Sequence, residues 1–462
     1  MARIVIIGAG MSGLAAASRL ATLGHRVTVC EADGTYGGMV GRVERDGFAF
    51  DTGPTLLTLP AVYRDLALKT GREPLEELVD LAPLAPESRH VFPDGTEAVL
   101  PNASRGGVAQ ALDAAFGAGS GERWGEVTNR GRTVWEATRR PLLEEPLPAE
   151  PLEDPYPRPA RRGLSRWLPR TRYTLADVAR RELGGHPGMT ALLAEYALRH
   201  GLTLDAPAGA TVLPYMEQSF GVWSVRGGIR ALAEAVYRRC EQRGVEFRFG
   251  TAVTEIVVEG GRARGVLTAD GRIDADLVLS SSDRPGLGLP EPSREPGRIA
   301  VLLALRGGRP AGTAHRTVVH AADLARQERA LAEEVPPLRP TVQVLRPDDS
   351  SLVPDEDHEA VTLHVTVPGG GERGTGGDAA YADHLLDHLA AAGIDLRERV
   401  LWREVRRTDA VPVPSLAGGR INPPNDSGVP GLYLIGGGAH PGGGLARVGM
   451  SACITAGLIG PA

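Results

Sequence analysis

Several residue types are scarce in this chain of 462 residues, and each scarcity excludes a class of function. Lys69 is the only lysine, and 57 acidic residues outweigh 51 basic ones, which leaves a net charge of −6. Because nucleic-acid binders carry an excess of basic residues, no nucleic-acid partner is predicted. No apolar run reaches the ~18 residues of a membrane-spanning helix, so an integral membrane protein is not predicted either.

Cysteine is also rare. Cys30, Cys240 and Cys453 lie far apart and show no metal-ligand spacing, so no metal site is predicted. A small, odd number of cysteines is typical of a reducing compartment. The first apolar run begins almost at the N-terminus and leads into a glycine motif, unlike a secretory signal peptide. We therefore expect a cytoplasmic protein.

The clearest local motif lies at the N-terminus. Residues 4–7 form a continuous apolar run, typical of a strand buried on both faces. A G-x-G-x-x-G motif follows and opens a predicted helix, and its glycines allow a tight turn, close approach to a pyrophosphate and close helix packing. Phosphates would lie at the helix N-terminus. The predicted contacts in this segment are Gly8, Gly10, Met11, Ser12 and Gly13.

A second predicted strand, residues 25–30, ends at Glu31. An acidic residue at this distance from the glycines binds the ribose hydroxyls of an adenine dinucleotide, which leaves FAD and NAD as alternatives. Two more glycine clusters, Gly37-Gly38 and Gly53-Pro54, follow at once. An NAD dehydrogenase has no need of them, whereas a flavoprotein that wraps an extended FAD does. FAD is therefore the predicted cofactor.

These motifs together resemble the phytoene (carotenoid) desaturase branch of the FAD-dependent amine-oxidase superfamily. The resemblance includes Asp51-x-Gly53-Pro54-Thr55 near the N-terminus and Gly221-x-Trp223-x-x-x-Gly227-Gly228 in the middle of the chain. It is most specific at residues 436–452, where Gly-Gly-Gly-Ala-His-Pro-Gly-Gly-Gly is followed by Gly449 and Ser451-Ala452. This run matches the family's C-terminal signature almost position for position.

The resemblance implies FAD contacts in each of these segments. Met39 stands where the family usually has an arginine that meets the pyrophosphate, and Arg42 is a candidate to replace it. A helix starting near Gly449 would direct its N-terminus at the flavin. The implied contacts beyond the N-terminal motif are Glu31, Ala32, Gly37, Gly38, Met39, Arg42, Gly53, Pro54, Thr55, Val253, Gly437, Gly438, Gly449, Met450 and Ser451.

The implied fold class is α/β with two domains. A discontinuous Rossmann-type FAD-binding domain would comprise residues 1–85, 220–285 and 427–462. Residues 86–219 and 286–426 would form an α+β substrate domain on a mostly antiparallel sheet. The large, mostly apolar walls of this domain would fit a hydrophobic substrate.

One segment, residues 146–172, is rich in proline and arginine. Its arginines from Arg158 to Arg172 surround Leu164, Trp167 and Leu168. Basic residues interleaved with apolar ones suit a membrane interface, which predicts peripheral membrane contact. The other interpretation is a solvated loop or a corner of the substrate domain.

The implied function is FAD-dependent desaturation of a hydrophobic polyene, isoprenoid or related secondary metabolite, with hydride transfer to flavin N5. Oxygen or a quinone would accept the electrons. The alternatives are a redox-neutral double-bond isomerase or cyclase, an amine-oxidase-type dehydrogenase and a non-catalytic flavin protein. The amine-oxidase mechanism is disfavoured because Lys69 is not where the superfamily places a lysine near N5. The catalytic candidates are His440, Glu217 and Tyr215. The alternative for His440 is a structural role in shaping a turn, and the alternative for Glu217 and Tyr215 is packing at the edge of the core.

Overall fold

The computed structural model describes residues 1–159, 172–281, 296–370 and 377–462. Residues 160–171 of the segment predicted to contact a membrane, including Leu164 and Trp167, lie outside the described residues. Within the described ranges, no helix has both the length and the apolar character needed to cross a bilayer.

The described residues form twenty strands, numbered here in chain order. They are β1 (Arg3–Ile7), β2 (Arg26–Cys30), β3 (Arg42–Arg45), β4 (Phe48–Asp51), β5 (Leu57–Thr58), β6 (Leu81–Pro83), β7 (Ser88–Val91), β8 (Glu97–Leu100), β9 (Val222–Val225), β10 (Glu246–Arg248), β11 (Val253–Glu259), β12 (Arg262–Thr268), β13 (Gly271–Asp274), β14 (Leu277–Ser280), β15 (Gly297–Arg306), β16 (Arg316–Val319), β17 (Val342–Leu345), β18 (His358–Val367), β19 (Val400–Thr408) and β20 (Leu432–Leu434).

The same residues form twelve α-helices, also numbered in chain order. They are α1 (Met11–Thr22), α2 (Ala61–Gly71), α3 (Leu75–Leu78), α4 (Arg105–Phe116), α5 (Ser120–Arg139), α6 (Leu175–Arg181), α7 (Pro187–Leu198), α8 (Val212–Phe220), α9 (Arg230–Gln242), α10 (Leu324–Ala332), α11 (Gly377–Ala391) and α12 (Leu445–Ile459).

A parallel sheet of five strands runs in the order β10-β2-β1-β14-β20. Its central strand β1 is covered on both sides, which explains its unbroken apolar run. Ile4 and Ile6 pack in a core shared with α1, α9 and α12, whereas Val5 and Ile7 pack against the antiparallel sheet β11-β12-β13. The predicted α/β fold of Rossmann type is confirmed by this arrangement.

A second sheet of seven strands runs in the order β19-β15-β18-β17-β16-β7-β8. Its neighbouring strands are antiparallel except for the parallel pair β16 and β7, so the predicted mostly antiparallel sheet is confirmed. One face packs Val301, Leu363 and Val365 against Leu385 of α11. The opposite face meets the end of α7, where the Thr366 hydroxyl donates to the Leu198 carbonyl over 2.9 Å.

The helices α4 to α8 share a separate core that includes Trp124, Val127 and Val134 of α5. α5 is twenty residues long and continues into a π-helical turn, Arg140–Glu144. We did not predict α5, because its buried positions are spaced among charged residues and glycines. Gly131 is buried in it, and a Cβ there would lie 2.5 Å from the Thr211 carbonyl oxygen.

Asp51, at the end of β4, connects the N-terminal part of the chain to α9. Its carboxylate accepts hydrogen bonds from the backbone amides of Ile229 (2.8 Å) and Arg230 (3.2 Å) and so caps the helix. Burial raises the pKa of Asp51 to about 6. Gly228 precedes the cap with φ +81°, and a Cβ there would lie 2.8 Å from both carboxylate oxygens. The Asp51 motif therefore has a structural role that its sequence alone did not indicate.

We expect Asp51→Ala to lower the free energy of unfolding by about 1–2 kcal/mol, because two helix amides lose their acceptor. Asp51→Asn keeps an acceptor oxygen and should lose less. Since folding raises the pKa of Asp51 from 3.8 to about 6, wild type should lose stability relative to Asp51→Asn as pH rises through that window. Thermal unfolding at both ends of the window measures these differences.

The matched control is Asp270→Ala, on the exposed turn between β12 and β13. It should leave the unfolding temperature unchanged. Equal losses in Asp51→Ala and Asp270→Ala would contradict the capping role.

Candidate active site

A cavity of about 490 Å³ extends from the carboxyl ends of the parallel strands to the seven-stranded sheet. Its first end is lined by Gly8 after β1, Glu31 after β2 and Ser281 after β14. Its other end is lined by Arg298 on β15 and His364 on β18. Ligands of open α/β sheets bind at the carboxyl ends of the strands, so the first end has the position of a dinucleotide cleft.

The glycine motif forms a tight turn that side chains would block. Gly8 has φ +96°, and a Cβ there would overlap the Ser281 hydroxyl. A Cβ on Gly13 would overlap the Gly8 carbonyl oxygen, so α1 packs close to β1 only because this residue is glycine. α1 then begins at Met11 with neither a side-chain cap nor an acidic residue in its first turn. Its unpaired amides at the cavity fit a phosphate.

Backbone amides from the glycine turn and from the loop after β2 orient the Glu31 side chain. Its carboxylate accepts hydrogen bonds from the amides of Ala9 (2.6 Å) and Asp33 (3.0 Å). The loop that follows touches the glycine turn, since the Gly37 amide donates to the Ala9 carbonyl over 2.8 Å. A Cβ on Gly38 would lie 3.0 Å from the Gly10 Cα. Bare backbone therefore forms the floor beside Glu31, as an extended dinucleotide requires.

A second helix N-terminus lies at the same cavity. α12 begins at Leu445 after Gly444, again without a side-chain cap or an acidic residue in its first turn. The prediction that this helix starts near Gly449 is wrong by one turn, because the helix forms directly after the last of the clustered glycines. Gly449 lies inside the helix and allows it to pack on α2, where a Cβ would lie 2.8 Å from Val62 Cγ1.

The structure brings most of the predicted FAD contacts to this cavity, although their role in binding FAD stays a prediction. The predicted residues that line it are Gly8, Gly10, Met11, Ser12, Glu31, Ala32, Gly37, Gly38, Met39, Pro54, Thr55, Val253 and Gly437. The predicted residues that do not line it are Gly13, Arg42, Gly53, Gly438, Gly449, Met450 and Ser451.

Two of the residues off the lining have other partners. Arg42 donates to the Gly227 carbonyl over 3.2 Å and pairs with Glu44 at 2.9 Å, so it does not take the place of the family's pyrophosphate arginine. The Ser451 hydroxyl accepts from the Gly436 amide over 3.1 Å and holds the turn after β20. The predicted FAD contacts of Arg42 and Ser451 are thus corrected, and in both cases the direction of the side chain depends on residues distant in sequence.

His440 and Tyr215 lie off the cavity lining as well. The His440 ring is fully buried, its Nε2 lies 3.1 Å from the Glu145 carbonyl oxygen, and burial lowers its pKa. The Tyr215 ring packs edge-on against Phe220. These contacts favour the alternatives given for both residues, a turn and core-edge packing, over a catalytic role.

Glu217 does line the cavity, but its two oxygens are already engaged. Arg199 Nη1 donates to Oε2 over 2.7 Å, and Arg316 Nη2 donates to Oε1. Although burial opposes ionisation, these two guanidinium groups lower the pKa of Glu217. Arg316 also donates to Glu87 over 2.6 Å, and Arg199 pairs with Glu195 at 2.7 Å. Glu217 therefore acts as a buried counterion and is not a free base.

The walls at this end are more polar than expected. Arg298, Gln343 and His364 line the cavity from β15, β17 and β18, in place of the mostly apolar walls predicted for the substrate domain. In sequence, each is a polar residue in a strand whose other face is mostly apolar. The alternation of Thr362, His364 and Thr366 along β18 was the available signal. This alternation does not indicate which residues of the neighbouring strands lie on the same face as His364.

We expect Glu31→Gln to weaken FAD binding about tenfold to a hundredfold, because a neutral amide replaces the carboxylate that would accept from the ribose hydroxyls. Titration of deflavinated protein with FAD, followed by flavin fluorescence, measures the change. Glu44→Gln is the matched control, since Glu44 is an exposed carboxylate on β3 outside the cavity lining. Wild-type affinity in Glu31→Gln would rule out the ribose contact.

Comparisons with known proteins agree with this geometry. The family model described as flavin containing amine oxidoreductase matches residues 11–459. The hydroxyneurosporene desaturase of Rhodobacter capsulatus is 28% identical over 96% of this chain and 94% of its own length. The phytoene dehydrogenase of Streptomyces griseus is 31% identical over 61% of this chain and 54% of its own length.

Solved structures show the same fold. An oxidoreductase from Methanosarcina mazei superposes with a TM-score of 0.64 at 17% identity, over 98% of this chain and 99% of its own. Putrescine oxidase bound to putrescine superposes with a TM-score of 0.61 at 15% identity, over 99% and 98% of the two chains. The chain therefore belongs to the flavin-containing amine oxidoreductase family, in its phytoene desaturase-like branch, and is an FAD-dependent oxidoreductase.

Proposed function

We propose that this chain catalyses the FAD-dependent desaturation of a hydrophobic polyene, isoprenoid or related secondary metabolite. One observation carries the proposal: a single cavity joins the glycine-lined dinucleotide cleft to the inner face of a second sheet. A substrate on that sheet could reach a cofactor in the cleft without crossing solvent. The carotenoid desaturases among the relatives support the substrate class.

Bound FAD would supply a two-electron acceptor at flavin N5 for the hydride of one substrate C–H bond, with loss of a proton from the adjacent carbon, and oxygen or a quinone would later take the two electrons. The protein's part is to orient the substrate and exclude water. Apolar side chains suited to both tasks line the cavity, among them Leu56, Val222, Leu445 and Val448. The N-terminus of α12 adds a positive dipole end to the same lining.

We propose that residues 1–85, 220–285 and 427–462 form the FAD-binding domain, and that residues 86–219 and 286–426 form the substrate domain. The separation of the two sheets supports these boundaries. All five strands of the parallel sheet belong to the first set. All seven strands of the other sheet belong to the second set.

The proposed substrate class favours contact between the protein and a membrane. Hydrophobic polyenes partition into lipid, so we propose a cytoplasmic protein that makes peripheral contact with a membrane. A quinone acceptor would come from the same lipid phase.

The amine-oxidase mechanism gains no support from the site. Lys69 lies exposed on α2 and does not line the cavity. A mechanism that needs a lysine beside the flavin therefore has no candidate residue.

Anaerobic mixing of the holoenzyme with phytoene in detergent micelles tests the proposed reaction. We expect the absorbance of oxidised flavin to fall, with one new double bond per flavin, and to recover when oxygen or a quinone is added. Micelles without phytoene are the control. Product formation without loss of oxidised flavin would indicate a redox-neutral reaction instead, and no reaction with any polyene would refute the proposed substrate class.

A further inference from the structure

The inner face of the seven-stranded sheet carries an unusual set of polar side chains for a hydrocarbon pocket. His364 lies in register between Gln343 of β17 and Ala300 of β15. Arg298 is two residues from Ala300 and shares its face, since successive side chains in a strand alternate. Arg298, Gln343 and His364 are therefore neighbours on one surface, and all three line the cavity.

Most of the charges near this surface are neutralised within the protein. Arg316 is paired with Glu87 and Glu217, and Arg199 is paired with Glu195 and Glu217. These contacts occupy both Glu217 oxygens and bind the two guanidinium groups to α7, α8 and the segment before β7. Their charges are thus compensated before any ligand enters.

Arg298 differs from Arg199 and Arg316 in its partners. Within the described ranges, no carboxylate pairs with it, and its hydrogen bond goes from Nη2 to the Arg199 carbonyl oxygen over 3.0 Å. A carbonyl at the end of α7 offers only a partial negative charge. Burial, together with the nearby charge of Arg199, lowers the pKa of Arg298 to about 10. The guanidinium nevertheless keeps its charge at neutral pH, so the cavity contains a cation that no carboxylate of the described residues neutralises.

His364 adds a ring nitrogen without a hydrogen-bond partner beside Arg298. Its side chain is more than nine-tenths buried, and its Nε2 has no hydrogen-bond partner among the residues described. Burial and the charge of Arg298 lower the pKa of His364 to about 3, so the ring is neutral at pH 7. Buried polar atoms in folded proteins nearly always have partners, so this unpaired nitrogen, beside a guanidinium that no described carboxylate neutralises, indicates a polar ligand.

We infer that this end of the cavity binds a carboxylate at the end of the substrate's hydrocarbon chain, with Arg298 as its counterion and His364 as a neighbouring hydrogen-bond donor. The inference rests on the proposed function and adds acids with an apolar chain to its substrate class. A planar guanidinium suits a carboxylate because it offers paired donors in a fixed geometry. The apolar part would lie along Val222, Leu445 and Val448, which line the same cavity.

Ligand binding to the wild-type holoenzyme provides the first test. Farnesoic acid and methyl farnesoate share one hydrocarbon chain and differ in the charge of the end group, and the absorbance spectrum of bound flavin reports their binding. At pH 7 we expect the acid to bind about tenfold to a hundredfold more tightly than the ester. Equal affinities would overturn the inference. Acetate should bind far more weakly than farnesoic acid, and comparable binding would indicate a general anion site instead of a substrate site.

Substitution of Arg298 provides the second test. Arg298→Gln should abolish the preference for acid over ester, whereas Arg298→Lys should retain part of it. The matched control is Arg407→Gln, because Arg407 is a buried arginine of the same sheet that already has partners in Asp378 and Asp409. A preference that survives in Arg298→Gln would refute the role of Arg298. The wild-type comparison decides the inference even if Arg298→Gln does not fold.

The inference and the proposed function fail in different ways. An acid preference that depends on Arg298, without desaturation of any compound, supports the carboxylate subsite and refutes the proposed reaction. Desaturation of phytoene with equal binding of farnesoic acid and methyl farnesoate supports the reaction and refutes the subsite.

Discussion

Two helix N-termini without side-chain caps are directed at one cavity, and the rest of the site depends on them. α1 follows Gly10 and α12 follows Gly444, and neither helix has an acidic residue in its first turn. Their unpaired amides and positive dipole ends need anionic or hydrogen-bond-accepting partners. A dinucleotide would meet this need with its phosphates at α1 and the polar edge of its flavin at α12. The glycines around both turns keep the backbone bare enough for that contact.

The second constraint is the balance of buried charges at the end of the cavity beside the seven-stranded sheet. Glu217 neutralises Arg199 and Arg316 together, and this pairing keeps α7, α8 and the seven-stranded sheet in contact. Arg298 stands outside the pairing, although it is only one hydrogen bond from the end of α7. A buried cation without a counterion is costly, so a ligand that neutralises Arg298 would stabilise this part of the cavity. A pocket built this way is amphiphilic, with an apolar lining and one cationic end, which distinguishes it from a purely hydrocarbon tunnel.

Local elements were predictable where the sequence carries a local physical signal. The strand–glycine turn–helix unit β1-α1-β2 matches its predicted position. The capping box of Thr174 and Asp177 at the start of α6 is another pattern that is local in sequence. α5 was missed because its buried residues are separated by charged ones, and tertiary packing decides which face of such a helix is buried. The start of α12 was misplaced because several glycines in a row left the end of the turn undefined.

The sequence by itself determined the cofactor class and the segments that approach it. G-x-G-x-x-G, Glu31 and the clustered glycines before α12 act through backbone shape, which a short motif specifies. Only the tertiary structure decided what individual polar side chains do. Asp51 caps α9, Arg42 turns to Gly227, and His440 contacts Glu145, in each case a partner far along the chain. Arg298 and His364 become neighbours only through the register of β15 and β18, because strand pairing, not sequence distance, sets which side chains share a surface.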